Sequence, residues 1–297
     1  MGRLRVALPV VLLLAVAATS GQWSASAPET RPTFRVATWN IHKGADRRGH
    51  YHLDRTIEAI ARFDVDLVGV QEAMRNQLES ECDDQAALMA DGLRRRTGRP
   101  WTHVSVTAWI SEKRYCQERG RGDGVETEGL AFFAVEPIVA STFVRLPEGR
   151  VAVDVRLASM PGVPIVVTHL APNRVNQALR ERQLGALLQW AEGRGPGVLM
   201  GDFNAEPSAS ELGPVLARYR DAWAAAAARG AARGIQSGST RPNRVSRIDY
   251  VLYAPAMDFA LESVEVVDTA TLGLGEVSDH NPVVATFRRV TQTGRAR

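Results

Sequence analysis

Six polar clusters in this chain each stand at one end of a short apolar run, and their side chains are of the kinds that handle phosphate or a divalent metal. The run 34–39 ends in Asn40, 65–71 in Glu72, 164–168 in His169, and 198–201 in Asp202-Phe203-Asn204. Asp249 stands immediately before the run 250–253, and Ser278-Asp279-His280 shortly before 283–287. In an antiparallel pair the end of one strand lies beside the start of the next. All six clusters can therefore collect along one edge of a sheeted core, which outlines an active site.

The chemistry such a set could perform is hydrolysis of a phosphate ester. That reaction needs a water or hydroxide nucleophile, neutralised charge on the phosphoryl oxygens, and help for the departing oxygen. A hard divalent cation meets the second need through carboxylate and amide oxygens. Glu72 is the natural ligand, with Asn40 beside it and Asp279 able to bind the same ion or a second one. His280 would be the general base, and Asp249 would accept its other ring N–H and fix the tautomer. Asp202 and Asn204 would orient water and phosphate, and His169 would donate to a phosphoryl oxygen as charge develops. Singly, each residue has a plainer role. A strand-end asparagine closes turns, Asp-x-Asn is common in turns, and Asp249 has Arg244 and Arg247 close by in sequence as partners. The pattern gains its weight from six clusters at six strand ends.

The elements that must position these residues are strands and helices in irregular alternation. Helical spacing marks 53–63 through Leu53, Ile57 and Ile60, and 83–97 with Leu88, Met89 and Leu93 inward. The stretch 175–191 carries Leu179, Leu184, Leu187, Leu188 and Trp190 on one face, and 208–228 reads as a helix interrupted at Gly213-Pro214. Further strands are expected over 102–110, 130–135, 138–144 and 151–157, with Trp101 and Trp109 as core residues. The Gly/Arg/Ser-rich stretches 120–129 and 231–244 read as loops. Many short strands with few helices imply packed sheets flanked by helices. Several neighbouring strands lack room for the helical crossover that a purely parallel sheet needs.

Residues 1–27 read as an export signal: Arg3 and Arg5, an apolar stretch from Val6 to Ala18, then small residues. Residues 28–297 then form one catalytic domain, secreted or otherwise exported. In an exported chain the two cysteines, Cys82 and Cys116, are expected to pair. Of 36 basic residues Arg3 and Arg5 leave with the signal, so 34 stand against 33 acidic ones and the mature charge is near +1. Overall charge therefore says little about a nucleic-acid partner. Local clusters at Arg94-Arg95-Arg96 with Arg99, and at Lys113-Arg114 with Arg119 and Arg121, read as solvated surface or as a phosphate-backbone track.

Thr38-Trp39-Asn40-Ile41, Gln71-Glu72, Thr168-His169-Leu170, Gly201-Asp202-Phe203-Asn204, Arg247-Ile248-Asp249-Tyr250 and Ser278-Asp279-His280 together resemble, in order, the signature of the endonuclease/exonuclease/phosphatase superfamily. The resemblance runs from about Phe34 to Phe287. It implies an α+β, four-layer α/β/β/α sandwich of two mixed, mostly antiparallel sheets flanked by helices. It also implies Mg²⁺, with Mn²⁺ as a substitute, and the roles given above at the matching positions. One departure stands out. Many relatives follow a Gly-Leu-Ala-type strand with a Ser-Arg pair that helps to hold substrate phosphate, whereas here Gly129-Leu130-Ala131-Phe132-Phe133 leads to Ala134-Val135-Glu136-Pro137. The arginine is absent, and Asn173 is a candidate for some replacement polarity.

The expectation is an exported Mg²⁺-dependent phosphodiesterase acting on nucleic acid. A sphingomyelinase-like hydrolase in peripheral contact with membrane, a small phosphomonoesterase and a non-catalytic binding module are the alternatives. Nothing in the sequence points to a protein partner.

Overall fold

In a computed structural model that describes residues 33–172 and 177–290, the chain builds two β-sheets packed face to face. In chain order the elements are β1 (Thr33–Asn40), α1 (Leu53–Arg62), β2 (Leu67–Arg75), α2 (Gln85–Thr97), β3 (Thr102–Ser111), α3 (Tyr115–Glu118), β4 (Glu126–Ala134), β5 (Ile138–Leu146), β6 (Arg150–Leu157) and β7 (Met160–His169). There follow α4 (Gln177–Ala191), β8 (Val198–Asp202), α5 (Gly213–Leu216), β9 (Arg220–Asp221), α6 (Ala222–Ala227), β10 (Ala232–Gly234), β11 (Asp249–Tyr253), β12 (Phe259–Val266) and β13 (Val283–Arg289). One sheet has the strand order β10-β12-β13-β1-β2-β4-β3, the other β5-β6-β7-β8-β11-β9.

Three buried apolar clusters separate four layers, as expected. Val36, Phe132, Val153, Val167, Met200 and Phe287 fill the space between the sheets. Trp39, Ile57, Ile60, Met89 and Leu93 glue α1 and α2 to the outer face of the first sheet. Leu184, Leu187, Leu199, Phe203 and Tyr250 do the same for α4 on the second. β8 is buried on both faces throughout and β1 from Val36 onward, so neither reads as a strict alternation of apolar and polar residues.

Most strand pairs are antiparallel, but β1 with β2, β7 with β8 and β10 with β12 are parallel. The sheets are therefore mixed. Parallel pairing is what brings Asn40 level with Gln71, next to Glu72, and His169 level with Asp202.

The structure corrects several local expectations. Trp101 is buried, but Trp109 is 50% exposed, because it lies near the end of the edge strand β3. Leu88 faces outward on α2 while Met89 and Leu93 are buried. The helix expected over 208–228 with an interruption at Gly213-Pro214 is more broken than that: the short α5 begins at Gly213, and a two-residue strand, β9, intervenes before α6. Residues 231–244 include strand β10, and β4 begins at Glu126, inside the expected loop 120–129. The expected disulfide is present between Cys82 and Cys116. No helix among the described residues is long and apolar enough to cross a membrane. The expected export signal (residues 1–27) and Asn173 lie outside the described residues.

Candidate active site

All six expected clusters meet at one edge of the sandwich. Asn40, Glu72, His169, Asp202, Asn204, Asp279 and His280 line a single polar cavity of about 590 Å³. Asp249 lies directly behind it, hydrogen-bonded to His280.

Local sequence explains how each side chain arrives there. Glu72 is the extra residue of a β-bulge between Gln71 and Ala73, with φ of 61°. A bulge re-aims the side chain it carries, here into the cavity. Gly201 (φ 141°) runs so close to β7 that a Cβ would lie 2.0 Å from the Thr168 carbonyl oxygen, so the Gly-Asp-Phe-Asn motif needs glycine there. Asn204 takes a left-handed conformation (φ 51°), which asparagine tolerates better than most residues. The Ser278–His280 turn is fastened to the end of β1 on both sides. Ser278 Oγ donates to the Asn40 carbonyl (2.7 Å), and Trp39 Nε1 donates to the His280 carbonyl (2.8 Å). Those two bonds give structural reasons for the tryptophan and serine in the flanking motifs.

His280 is 3% exposed, and its Nδ1 lies 2.8 Å from Asp249 Oδ2. On the other side Arg241 Nη1 approaches Nε2 at 3.1 Å, while its Nη2 donates to Asp279 Oδ2 at 3.0 Å. A guanidinium can only donate. In the neutral ring Nε2 is then the lone-pair atom and Nδ1 carries the hydrogen, the tautomer a general base requires. Burial acts to depress the pKa of His280, but Asp249, Asp202 and Asp279 outweigh it and lift the value to about 9. The guanidinium on Nε2, like any cation placed among these carboxylates, favours the neutral ring.

His169 follows the same logic with a different result. Arg150 Nη1 lies 3.1 Å from its Nδ1, so Nδ1 accepts and Nε2 carries the hydrogen. Burial, then the charges of Arg150 and His280, hold its pKa well below the ordinary value. It is a neutral donor, with Nε2 3.5 Å from Asp202 Oδ2. Asp202 itself is pushed up to about 7 by burial and by Asp249, against the pull of His280 and of hydrogen bonds from Asn40 and the Asn204 N–H.

Asn40 bridges the two carboxylates: its Nδ2 donates to Glu72 Oε1 (3.0 Å) and to Asp202 Oδ2 (3.1 Å). Its Oδ1 accepts from the His42 N–H. In this arrangement Asn40 orients Glu72 and Asp202, and its own oxygen faces the backbone rather than the cavity. The donor set suits a hard cation. Burial and the charge of Glu72 raise the pKa of Glu128 across the cavity, a repulsion that a cation would relieve. Asp202, Asp249 and His280 also bring one donor atom each within 4.8 Å of one another, and Asp249 Oδ1 is buried without a hydrogen bond.

With this geometry in place, a match to the family model described as "Endonuclease/Exonuclease/phosphatase family", spanning residues 37–280, decides the family. The chain belongs to it. Members of the endonuclease/exonuclease/phosphatase family are hydrolases acting on phosphoesters, typically with a divalent metal.

Solved structures agree in fold. An endonuclease/exonuclease/phosphatase from Beutenbergia cavernae is 23% identical, with 87% of this chain and 72% of that one covered at a TM-score of 0.63. The human Nocturnin catalytic domain with bound sulfate is 21% identical, covering 87% and 94%, TM-score 0.62. A mannosyl-6-phosphatase from Bacteroides thetaiotaomicron is 16% identical, covering 86% and 99%, TM-score 0.58. No curated protein matches the chain significantly.

Against the family pattern, sequence reasoning missed the cations of the site. Lys43, Arg150, Arg241 and Arg244 line the cavity together with Glu128. Arg150 begins β6 and Arg241 comes from the stretch read as a loop, so neither follows an apolar run into the site. The basic cluster singled out at 94–99 does not line the cavity. Arg94 pairs with Asp91, Arg96 with Asp54 and Glu58, and Arg99 with Asp64 and Asp66, which leaves little of that cluster for a phosphate backbone.

Proposed function

We propose that this protein is an exported phosphodiesterase, dependent on Mg²⁺ with Mn²⁺ as a substitute, that cleaves nucleic acid by direct in-line attack of water. The observation that carries the reading is the pairing of His280 with Asp249 at 2.8 Å, beside Arg150 and Arg241. His280 Nε2 takes a proton from water once substrate draws Arg241 away, and Asp249 stabilises the imidazolium that forms. Arg150 and Arg241 hold the phosphoryl oxygens, forming charge-assisted hydrogen bonds. His169 Nε2–H and Asn204 face the developing charge. Glu72, oriented by Asn40, and Asp279 would hold the cation, which would supply charge withdrawal from the phosphoryl group and the departing oxygen. No step calls for a covalent phospho-enzyme. The disulfide supports an oxidising compartment.

A phosphomonoester reading keeps a specific point in its favour, since a neighbour in fold carries the name mannosyl-6-phosphatase. The test is hydrolysis by the mature protein, with Mg²⁺ and with EDTA, of plasmid DNA, RNA, sphingomyelin and sugar or inositol phosphates. His280→Ala serves as the blank. Metal-dependent loss of DNA or RNA is expected. Turnover confined to sphingomyelin or to a monoester would replace the nuclease reading, and activity retained by His280→Ala would remove the general base.

A further inference from the structure

Near the catalytic cavity one tryptophan among the described residues is without an evident packing role. Among the described tryptophans Trp39, Trp101 and Trp223 are buried, and Trp190 carries the Arg194 guanidinium 3.9 Å from its ring centre. Trp109 is 50% exposed.

Its placement follows from β3. Val104 and Val106 pair with Phe132 and Leu130, so the even-numbered residues of β3 face the second sheet. Strict alternation would turn Trp109 to the opposite face. The pairing instead jumps from Thr107 opposite Gly129 to Trp109 opposite Glu128, which makes Ala108 the extra residue of a bulge. Gly129 permits this, because a Cβ there would lie 2.0 Å from the Val106 carbonyl oxygen. The bulge moves Trp109 to the face of its partner, and directly opposed residues share a face at close range. Glu128 lines the catalytic cavity, and Ala108 shares a small neighbouring cavity with Glu128, Arg150 and His169.

We infer that Trp109 is a stacking platform for a nucleobase next to the scissile phosphate, since its strand neighbour Ala108 and its cross-strand partner Glu128 share a small cavity with Arg150. This rests on the nuclease reading and deepens it. A flat ring beside a guanidinium is how proteins hold single-stranded nucleic acid with little sequence preference. A lipid surface fits less well. Ile110, the other exposed large apolar residue of β3, is opposite Thr127 and so turns to the other face of the sheet. The two do not form one insertion patch, and exposed Glu112, Lys113 and Arg114 follow at once.

The experiment compares two strands of equal length, one of thymidylate and one in which abasic tetrahydrofuran units replace the nucleosides. The parent should show a lower KM for the base-bearing strand. In Trp109→Ala that preference should fall about tenfold, with the change in KM rather than kcat, and Trp109→Phe should retain most of it. An unchanged preference in Trp109→Ala, or a loss confined to kcat, would overturn the stacking role while the nuclease reading stood. Should the parent hydrolyse neither strand, nor DNA or RNA beyond the His280→Ala blank, both would fall together. Loss of binding to sphingomyelin vesicles in Trp109→Ala, with oligonucleotide KM untouched, would assign the ring to a membrane instead.

Discussion

Removing the disulfide gives an effect that can be worked out from the chain itself. Cys82 and Cys116 are 34 residues apart, and the loop they close contains all of α2 and β3. On the chain-entropy model, closing a loop of that length lowers the entropy of the unfolded chain by about 13 cal/mol/K, or about 3.8 kcal/mol at 25 °C. Both sulfurs belong to buried residues, so alanine is the right replacement, since serine would bury two hydroxyls. A domain of this size is stable by roughly 5–15 kcal/mol. The double variant Cys82→Ala/Cys116→Ala should therefore lose a quarter or more of its stability and melt about 8–15 °C lower. Equilibrium urea unfolding without reductant, followed by circular dichroism, reads the difference directly. The parent measured in excess dithiothreitol should fall to nearly the same value. A loss under about 1 kcal/mol in both experiments would refute the reasoning. It would mean that the unfolded chain is already held together here, or that the bridge strains the native loop as much as it restricts the unfolded one.

Glu72→Gln should weaken Mg²⁺ or Mn²⁺ binding about 10–100-fold by calorimetry, with turnover partly rescued by excess metal, and unchanged affinity would move the cation elsewhere. Gly201→Ala should cost roughly 3–6 kcal/mol, from the positive φ and the collision with Thr168, and thermal melting that matched the parent would contradict the close approach. Arg180→Met should cost about 3–5 kcal/mol by leaving Glu211 charged and buried, and adding Glu211→Leu should recover most of it in chemical denaturation.

The carboxylates and histidines of the candidate site were legible in the sequence because strand ends are legible. An apolar run followed by an acid, amide or histidine marks both the element and the atom it delivers, as at Glu72, His169 and Asp202. The parallel pairs were not legible, since adjacency of β1 with β2 or of β7 with β8 is set by long-range packing. The interruption at Gly213-Pro214 was legible in 208–228, but strand β9 was not, because alanine-rich sequence favours helix locally while the pairing of β9 with β11 overrides it. The cations escaped for another reason. Arg241 reaches His280 from a stretch rich in glycine, serine and arginine, and its placement depends on hydrogen bonds that no periodicity reports. Ser239 Oγ accepts from Ser246 N, and Thr240 Oγ1 accepts from Ile248 N and Asp249 N, tying that stretch to the start of β11.

These bonds give the missing Ser-Arg pair a physical answer. The family's arginine would have come from the strand that here ends in Ala134, whose residue is buried in the core between the sheets. Arg150 and Arg241 approach from the opposite sheet and from the segment before β11, and each touches a histidine of the site. On the proposed reading these two arginines supply charge to the phosphate, and each guanidinium also meets a histidine of the site. Substituting either one should then change substrate affinity and histidine chemistry together, whereas an arginine remote from both histidines would change affinity alone.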